Sequence, residues 1–390
     1  MATLIITEDY PFRSGGISVY CYQLAKHLVS SGEEVLVLAP HTEKDAELDK
    51  KETYSVFRIR LFHNRWIRLF SRIGYSLLIA GKYKVRKIYT THWFPSGLVA
   101  VIAGTLFNIP FFLATHGAEV TVPVGVIHRL IRNTVIKRAT GIFSCSEFTK
   151  NVVIGFGVSA QKVAYIPYGV DIERFYPDAG FRKTVRDKYG LEGKRVLLTV
   201  ARIAWHKGHD MVIKSLPRVL NTFPDAVYMI AGGDHGEKKR LEELIRGLGL
   251  EKYVIFIGDV PFFGPDLPMV YNACDLFIMV SRVIRNFVDV EGFGIVYAEA
   301  AACGKPLIGG RTGGIGSAVI DGITGLLVDP LSREEISQAI IRIFKDREFA
   351  DYLGSNAKKR AVEELSWPKL IERTKRFSDS LSPSRKPSYR

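Results

Sequence analysis

The sequence predicts an α/β protein built from two doubly wound parallel sheets, and three observations predict it. Short apolar runs alternate with amphipathic stretches along most of the chain. Strands buried on both faces read as such runs, and strand–helix alternation makes parallel βαβ units. The runs fall into two sets, divided by a charged stretch at Asp178–Lys194. Finally, 390 residues are more than one core comfortably holds, at about 150 residues per domain.

In the first set the predicted strands are Leu4–Thr7, Glu34–Ala39, Ile88–Thr91, Phe111–Thr115, Ile142–Ser144 and Val163–Ile166. In the second they are Val196–Ala201, Ala226–Ala231, Val254–Ile257, Leu276–Val280, Pro306–Gly309 and Gly325–Val328. Helices alone follow Ser332, ending in the polar tail SDSLSPSRKPSYR. The expected division is 1–178, 179–365, and a last helix with its tail over 366–390. Between Ile88 and Ala118 the charge is confined to His92 and His116. Its longest apolar piece, Leu98–Phe107, is half of the ~20 residues that a membrane span needs. It reads as a buried helix before a buried strand. The N-terminus meets Glu8 and Asp9 without a basic segment, so it does not read as a signal peptide. Four scattered cysteines without C-x-x-C spacing fit a reducing compartment.

The net charge is +14 and it is uneven. Residues 53–138 hold thirteen basic residues and one acid, Glu119. Within them FRIRLFHNRWIRLFSRI interleaves arginine with aromatic and aliphatic residues. That composition suits anionic lipid headgroups, with arginine on phosphate and tryptophan in the headgroup zone. A strand followed by a solvated helix, or a groove for single-stranded nucleic acid, would use the same residues.

Ligands of open parallel sheets bind beyond the carboxyl ends of the strands, so loop residues there carry the candidate chemistry. Gly15-Gly16 follows the first strand and opens a helix, where bare N–H groups suit an anion. It is not a G-x-G-x-x-G loop, so a dinucleotide oxidoreductase gains little support. In ARIAWHKGHD, Arg202 and Lys207 follow a strand and could neutralise a diphosphate; a solvated basic loop is the alternative. His206 beside them reads as incidental. In VDVEGFGIVYAEAAACGKP, Glu291 and Glu299 stand eight apart at the start of and within an apolar helix. A helix through both would place them on roughly one face, ~12 Å apart, with the Gly294 and Ile295 amides free for a phosphate.

Together these motifs resemble the retaining glycosyltransferases of the GT-B class, family 4. The elements are the E-x7-E pattern before ACGKP, the R-x4-K-G loop, RTGGIGSAVIDGITGLLVDP, Gly15-Gly16, THGAEV and IPYGVD. The stretch DVEGFGIVYAEA resembles phosphatidylinositol mannosyltransferases, which use GDP-mannose and lipid acceptors. The resemblance implies two Rossmann-like domains facing a cleft, with a C-terminal helix crossing back and hinge closure excluding water. Arg202 and Lys207 would then bind the donor diphosphate, and Glu291 the hydroxyls of the transferred sugar. The Phe293-Gly294-Ile295 backbone would lie on sugar and phosphate, Glu299 would hold the ribose, and Asp259-Val260 would seat the base. His116 would stand near the reacting centre with Gly16 near the phosphate. Gly15, His92 and Glu119 are weaker acceptor-side candidates.

The implied reaction moves a hexose, mannose favoured, from GDP-mannose or a UDP-sugar to a lipid-linked or glycan acceptor. No D-x-D sequence suited to Mg²⁺ is evident, so no cofactor and no metal are expected; Asp289-Val290-Glu291 comes nearest. The expected partners are a nucleotide diphosphate sugar, the acceptor and an anionic membrane surface through residues 57–87, not nucleic acid. The expected place is the cytoplasmic face of a membrane. A sugar-nucleotide 2-epimerase of the same architecture, or a transferase for a soluble acceptor, are the alternatives.

Overall fold

A computed structural model describes residues 2–11, 15–41, 47, 49–60, 63–283 and 290–382, without the side chain of Arg65. Ser14 of the first loop, Asp289 of the D-V-E sequence and the tail from 383 lie outside the described residues. The chain forms two compact units, one of residues up to Pro167 with the helix Trp367–Leu381, the other Tyr168–Ser366.

The first unit is an all-parallel sheet of seven strands among the described residues. They are β1 (Ala2–Ile6), β2 (Val35–Pro40), β3 (Ser55–Ile59), β4 (Val85–Thr90), β5 (Phe111–Thr115), β6 (Gly141–Ser144) and β7 (Val163–Tyr165), in spatial order 3-2-1-4-5-6-7. Leu4 lies level with Leu36 on one side and Ile88 on the other. These side chains meet Val99, Ala103, Val135 and Ile136 of the covering helices in one core, each buried aliphatic contributing ~1.5–3 kcal/mol. The charge-free stretch resolves as expected, into a helix Leu98–Phe107 and then β5. The edge strand β3 was expected only through the alternative reading of the segment from Phe57 as a strand followed by a helix. Its sequence SVFRI is half-exposed along most of its length, so it lacks the continuous apolar run by which buried strands are recognised.

The second unit holds β8 (Arg195–Val200), β9 (Ala226–Ala231), β10 (Val254–Gly258), β11 (Leu276–Met279), β12 (Leu307–Gly310) and β13 (Gly325–Val328), in order 10-9-8-11-12-13 and again all parallel. Leu197, Tyr228, Ile278 and Ile308 pack with Ile213, Leu216, Ile336 and Ile340 of its helices.

The division falls at Pro167/Tyr168, eleven residues before the expected 178. The reason is packing: Phe175 lies edge-on to Tyr271 at 5.7 Å, the Asp178 N–H donates to Asn272 at 2.8 Å, and Val170 bridges Ser366. The last helix belongs to the first unit. There Trp367 stacks on His27 (5.7 Å, 7° between planes), Lys87 Nζ donates to the Ser378 hydroxyl at 2.9 Å and Arg373 to the Tyr165 carbonyl at 3.0 Å. Among the described residues no helix is long and apolar enough to cross a membrane.

Candidate functional site

In the second unit the strand order reverses between β8 and β11, and the loops that leave their carboxyl ends diverge there, the usual ligand position of a doubly wound sheet. After β8 comes a single tight turn, Trp205–Lys207, and then the helix His209–Thr222. Gly208 makes this possible. Its φ is +78°, and a Cβ on it would lie 2.2 Å from the Val280 carbonyl oxygen at the end of β11. Only glycine lets the turn press so closely on the neighbouring strand.

The turn aims Lys207 at Glu291, with Nζ donating to Oε2 at 2.6 Å and both side chains about 15% exposed. Burial by itself would raise the Glu291 carboxyl. The Lys207 ammonium, with His206 and Arg202, outweighs it and holds the carboxyl below its ordinary range. Arg202 is exposed beside them. Its carbonyl accepts from His209 Nε2 at 3.1 Å, and burial pushes that imidazole down to about 4, so it is neutral. The Glu291 carbonyl in turn accepts the Gly314 N–H at 2.8 Å.

The helix after Glu291 spans only Ile295–Ala302, with Gly294 at φ +83° before it and no side chain capping its first turn. This corrects the expectation that a two-turn helix carries both carboxylates on one face. Glu291 sits in the loop four residues ahead of the helix, which frees it to meet Lys207, while Glu299 points into the unit. Glu299 is 2% exposed and accepts the Tyr271 hydroxyl at 2.5 Å through Oε2. Its Oε1 is buried without a hydrogen-bond partner. Burial, only partly countered by Tyr271 and Arg174, pushes this carboxyl up to about 7. The Phe293 ring is fully buried against Tyr168, so only its backbone is available to a ligand. Asp259 is exposed and Val260 half-buried, just past the edge strand β10 and two strands from β8.

In the first unit the sheet order reverses between β1 and β4, and residues after β1, β4 and β5 gather there. The Thr7 and Thr91 hydroxyls lie 2.9 Å apart, Thr91 Oγ1 lies 3.1 Å from His92 Nδ1, and His92 Nε2 lies 3.5 Å from Asp9. The rings of His92 and His116 are 6.0 Å apart, and Tyr20 stands edge-on to His116 at 5.2 Å. Burial lowers both imidazoles below their usual range, Asp9 opposing this for His92 and the His92 neighbour reinforcing it for His116. Glu119 is half-buried: its carboxylate accepts the His116 N–H, and desolvation outweighs that bond and raises the carboxyl to about 7. It therefore shapes the turn that presents His116. Gly15, at φ +139°, precedes the helix Gly16–Ser30, whose first turn carries neither a capping side chain nor an acid.

The charge count over 57–87 overstates what this segment offers a membrane. Arg58 pairs with Asp49 at 2.8 Å, Arg86 with Glu33 at 2.9 Å, Arg72 with Glu8, and Lys87 with Asp379. What the helix Arg65–Lys82 does expose is apolar: Trp66, Ile67, Phe70, Tyr75 and Leu78 are 46–70% exposed. Spacing within a helix reports a face, but it does not report which face the sheet takes. Sequence reasoning also passed over Asp9, His209, Asp210 and Arg282. The first and last stand just past strand ends, the positions where a signal was available.

Residues 181–360 match the family model described as glycosyl transferases group 1, and residues 14–174 match that described as glycosyltransferase family 4. The chain is 30% identical over 368 residues to the GDP-mannose-dependent alpha-(1-6)-phosphatidylinositol monomannoside mannosyltransferase of Mycolicibacterium smegmatis, covering 93% of this chain and 94% of that one. Among solved structures, a glycosyltransferase from Rickettsia africae superposes with a TM-score of 0.84 at 20% identity, over 98% of this chain and 99% of its own. The Anabaena protein HepE, crystallised with UDP, gives 0.82 at 21% identity, over 97% and 100%. At such identities these structures speak for the fold alone.

Proposed function

The chain belongs to the family 4 glycosyltransferases, of GT-B architecture, and from that premise we propose that it moves mannose from GDP-mannose to a lipid-linked or glycan acceptor at a membrane surface, with retention of configuration and without a metal ion. The observation that carries this reading is the Lys207–Glu291 pair at the strand-order reversal of the second sheet, with Arg202 beside it. The similarity to a GDP-mannose-dependent enzyme acting on a phosphatidylinositol mannoside supports the choice of donor and acceptor class.

Cleaving a sugar–phosphate bond builds negative charge on the departing diphosphate. Fixed positive groups stabilise it best where water is scarce. Arg202 and Lys207 would supply these charges, and the uncapped helix start at Gly294-Ile295 would add N–H donors and a favourable dipole. Glu291, kept ionised by Lys207, would accept hydroxyls of the transferred sugar. The unpartnered Glu299 Oε1 would gain an acceptor role toward a ribose hydroxyl, which would relieve the cost of leaving it unpaired. Asp259 and Val260 would seat the base. In the first unit, neutral His116 and His92, with Gly15 and Gly16, would meet sugar and acceptor. The acceptor hydroxyl would attack from the face that the leaving phosphate departs, losing its proton to that phosphate.

The exposed apolar residues of the helix Arg65–Lys82 support a seat in a lipid interface, on the cytoplasmic side. The four cysteines, all buried free thiols, agree with a reducing compartment. A panel of nucleotide sugars screened by thermal shift tests the donor, since a ligand that binds the folded state at a hundred times its Kd adds ~2.7 kcal/mol. GDP-mannose should raise the melting temperature more than UDP-glucose; no shift with any nucleotide sugar would overturn the proposal. Release of GDP that requires a phosphatidylinositol mannoside acceptor separates transfer from epimerisation.

A further inference from the structure

We propose that Arg282 is the positioning residue of the donor-phosphate loop, holding the Trp205–Lys207 turn so that Lys207 faces Glu291. The proposal rests on the reading of Lys207 as a diphosphate ligand. Arg282 stands three residues beyond β11 and is 6% exposed. Its guanidinium carbon lies 3.7 Å from the centre of the Trp205 ring. Nη2 donates to the Trp205 carbonyl at 2.8 Å and to Asp210 Oδ1 at 2.8 Å, and the main-chain N–H of Arg282 donates to the His206 carbonyl at 2.8 Å. One residue therefore pins two consecutive carbonyls immediately before Lys207, clamps the ring of the turn's first residue, and ties the turn to the following helix through Asp210. Asp210 is itself 4% exposed and also takes Lys214 at 3.0 Å.

Two features point to geometry rather than bulk stability as the role of this cluster. A buried ion pair adds little stability compared with apolar residues of the same volume, because both charges must be desolvated. Trp205, moreover, is 39% exposed, so its placement depends on stacking against Arg282 as well as on burial. Bonds from Arg282 run to Asp210 and to the carbonyls of the turn, which places it behind the ligand-facing side chains rather than among them.

The test is a double-mutant cycle on nucleoside diphosphate affinity. GDP and UDP are titrated calorimetrically into the full-length chain, its Lys207→Ala, Arg282→Met and Arg282→Lys variants, and the Lys207→Ala/Arg282→Met double variant. Melting temperatures without ligand are measured alongside. For whichever nucleotide the wild type binds more tightly, Lys207→Ala and Arg282→Met should each weaken binding about tenfold. The double variant should bind no more weakly than Lys207→Ala alone, since Arg282 acts through Lys207. Arg282→Lys, which can still pair with Asp210 but cannot fork to the carbonyl and the ring, should recover part of the loss. Wild-type affinity in a folded Arg282→Met variant, or losses that simply add, would overturn the proposal. If Arg282→Met does not fold, the same cycle is run with Arg282→Lys, and an additive result there overturns it equally. Wild-type affinity in Lys207→Ala would instead strike the underlying reading of the diphosphate site, a result distinct from failure at Arg282 alone.

Discussion

The candidate site rests on a few buried or half-buried charges whose neighbours decide their protonation. Across 2.6 Å the Lys207 ammonium holds the Glu291 carboxyl ionised. Removing the cation leaves a carboxylate where a diphosphate should bind. Lys207→Ala is therefore expected to lower kcat by about 10²–10³-fold, the usual loss for one charge-stabilising donor, with the melting temperature changed little; steady-state kinetics with GDP-mannose checks this. Glu119 is the opposite case. Its folded carboxyl is raised from 4.5 to about 7 by burial, so the folded state binds a proton that the unfolded chain has already released. Its contribution to stability is full below about pH 4.5 and is lost as pH rises through 7. Glu119→Gln keeps an oxygen for the His116 N–H but does not titrate. Melts at pH 5.5 and pH 8 should differ less in the variant than in the wild type, and equal differences would refute this. Of these residues, Lys207, Glu291 and Glu119 were legible in the sequence as types in loops after strands. Their pairings were not, because a 2.6 Å contact between positions 84 residues apart depends on two loops from neighbouring strands converging.

At the scale of elements, the helix Arg65–Lys82 presents the clearest conflict between pattern and placement. Its amphipathic sequence turns Leu69, Arg72, Ser76 and Ile79 inward and leaves Trp66, Ile67, Phe70, Tyr75 and Leu78 outside. A soluble surface helix would carry such large apolar groups inward. With Arg72 tied to Glu8, lipid affinity should depend on the apolar residues at least as much as on charge. The triple substitution Trp66→Ser/Phe70→Ser/Leu78→Ser should abolish co-sedimentation with anionic vesicles while the melting temperature stays near that of the wild type. Retained binding would rule this helix out as the contact. Elsewhere the elements follow their sequence closely: Phe111–Thr115, Ala226–Ala231 and Gly325–Val328 form strands with the expected bounds. The helix expected to open at Gly292–Gly294, directly after Glu291, begins only at Ile295, because Gly294 takes a left-handed conformation.

At the scale of the whole chain, the last helix completes the first unit although it follows the second in sequence. Trp367 fills space against Tyr20 and His27, and Ser378 receives Lys87 and Tyr89. A chain ending at Ser366 should therefore lose the first unit selectively. Limited proteolysis is expected to digest residues before 168 rapidly while a fragment near 168–366 persists; uniform resistance would refute this. What the sequence alone determined is the architecture: two parallel sheets, nearly all of their strands, and the family. Each of these is written locally, in apolar runs, glycine turns and motif spacing. What only the tertiary structure decided is who meets whom. The boundary at Tyr168, the inward turn of half the basic segment and the Arg282 clamp on Trp205 all join residues far apart in the chain. Such contacts are selected by competition among charges for burial and partners, and that competition is settled only once the sheets have assembled.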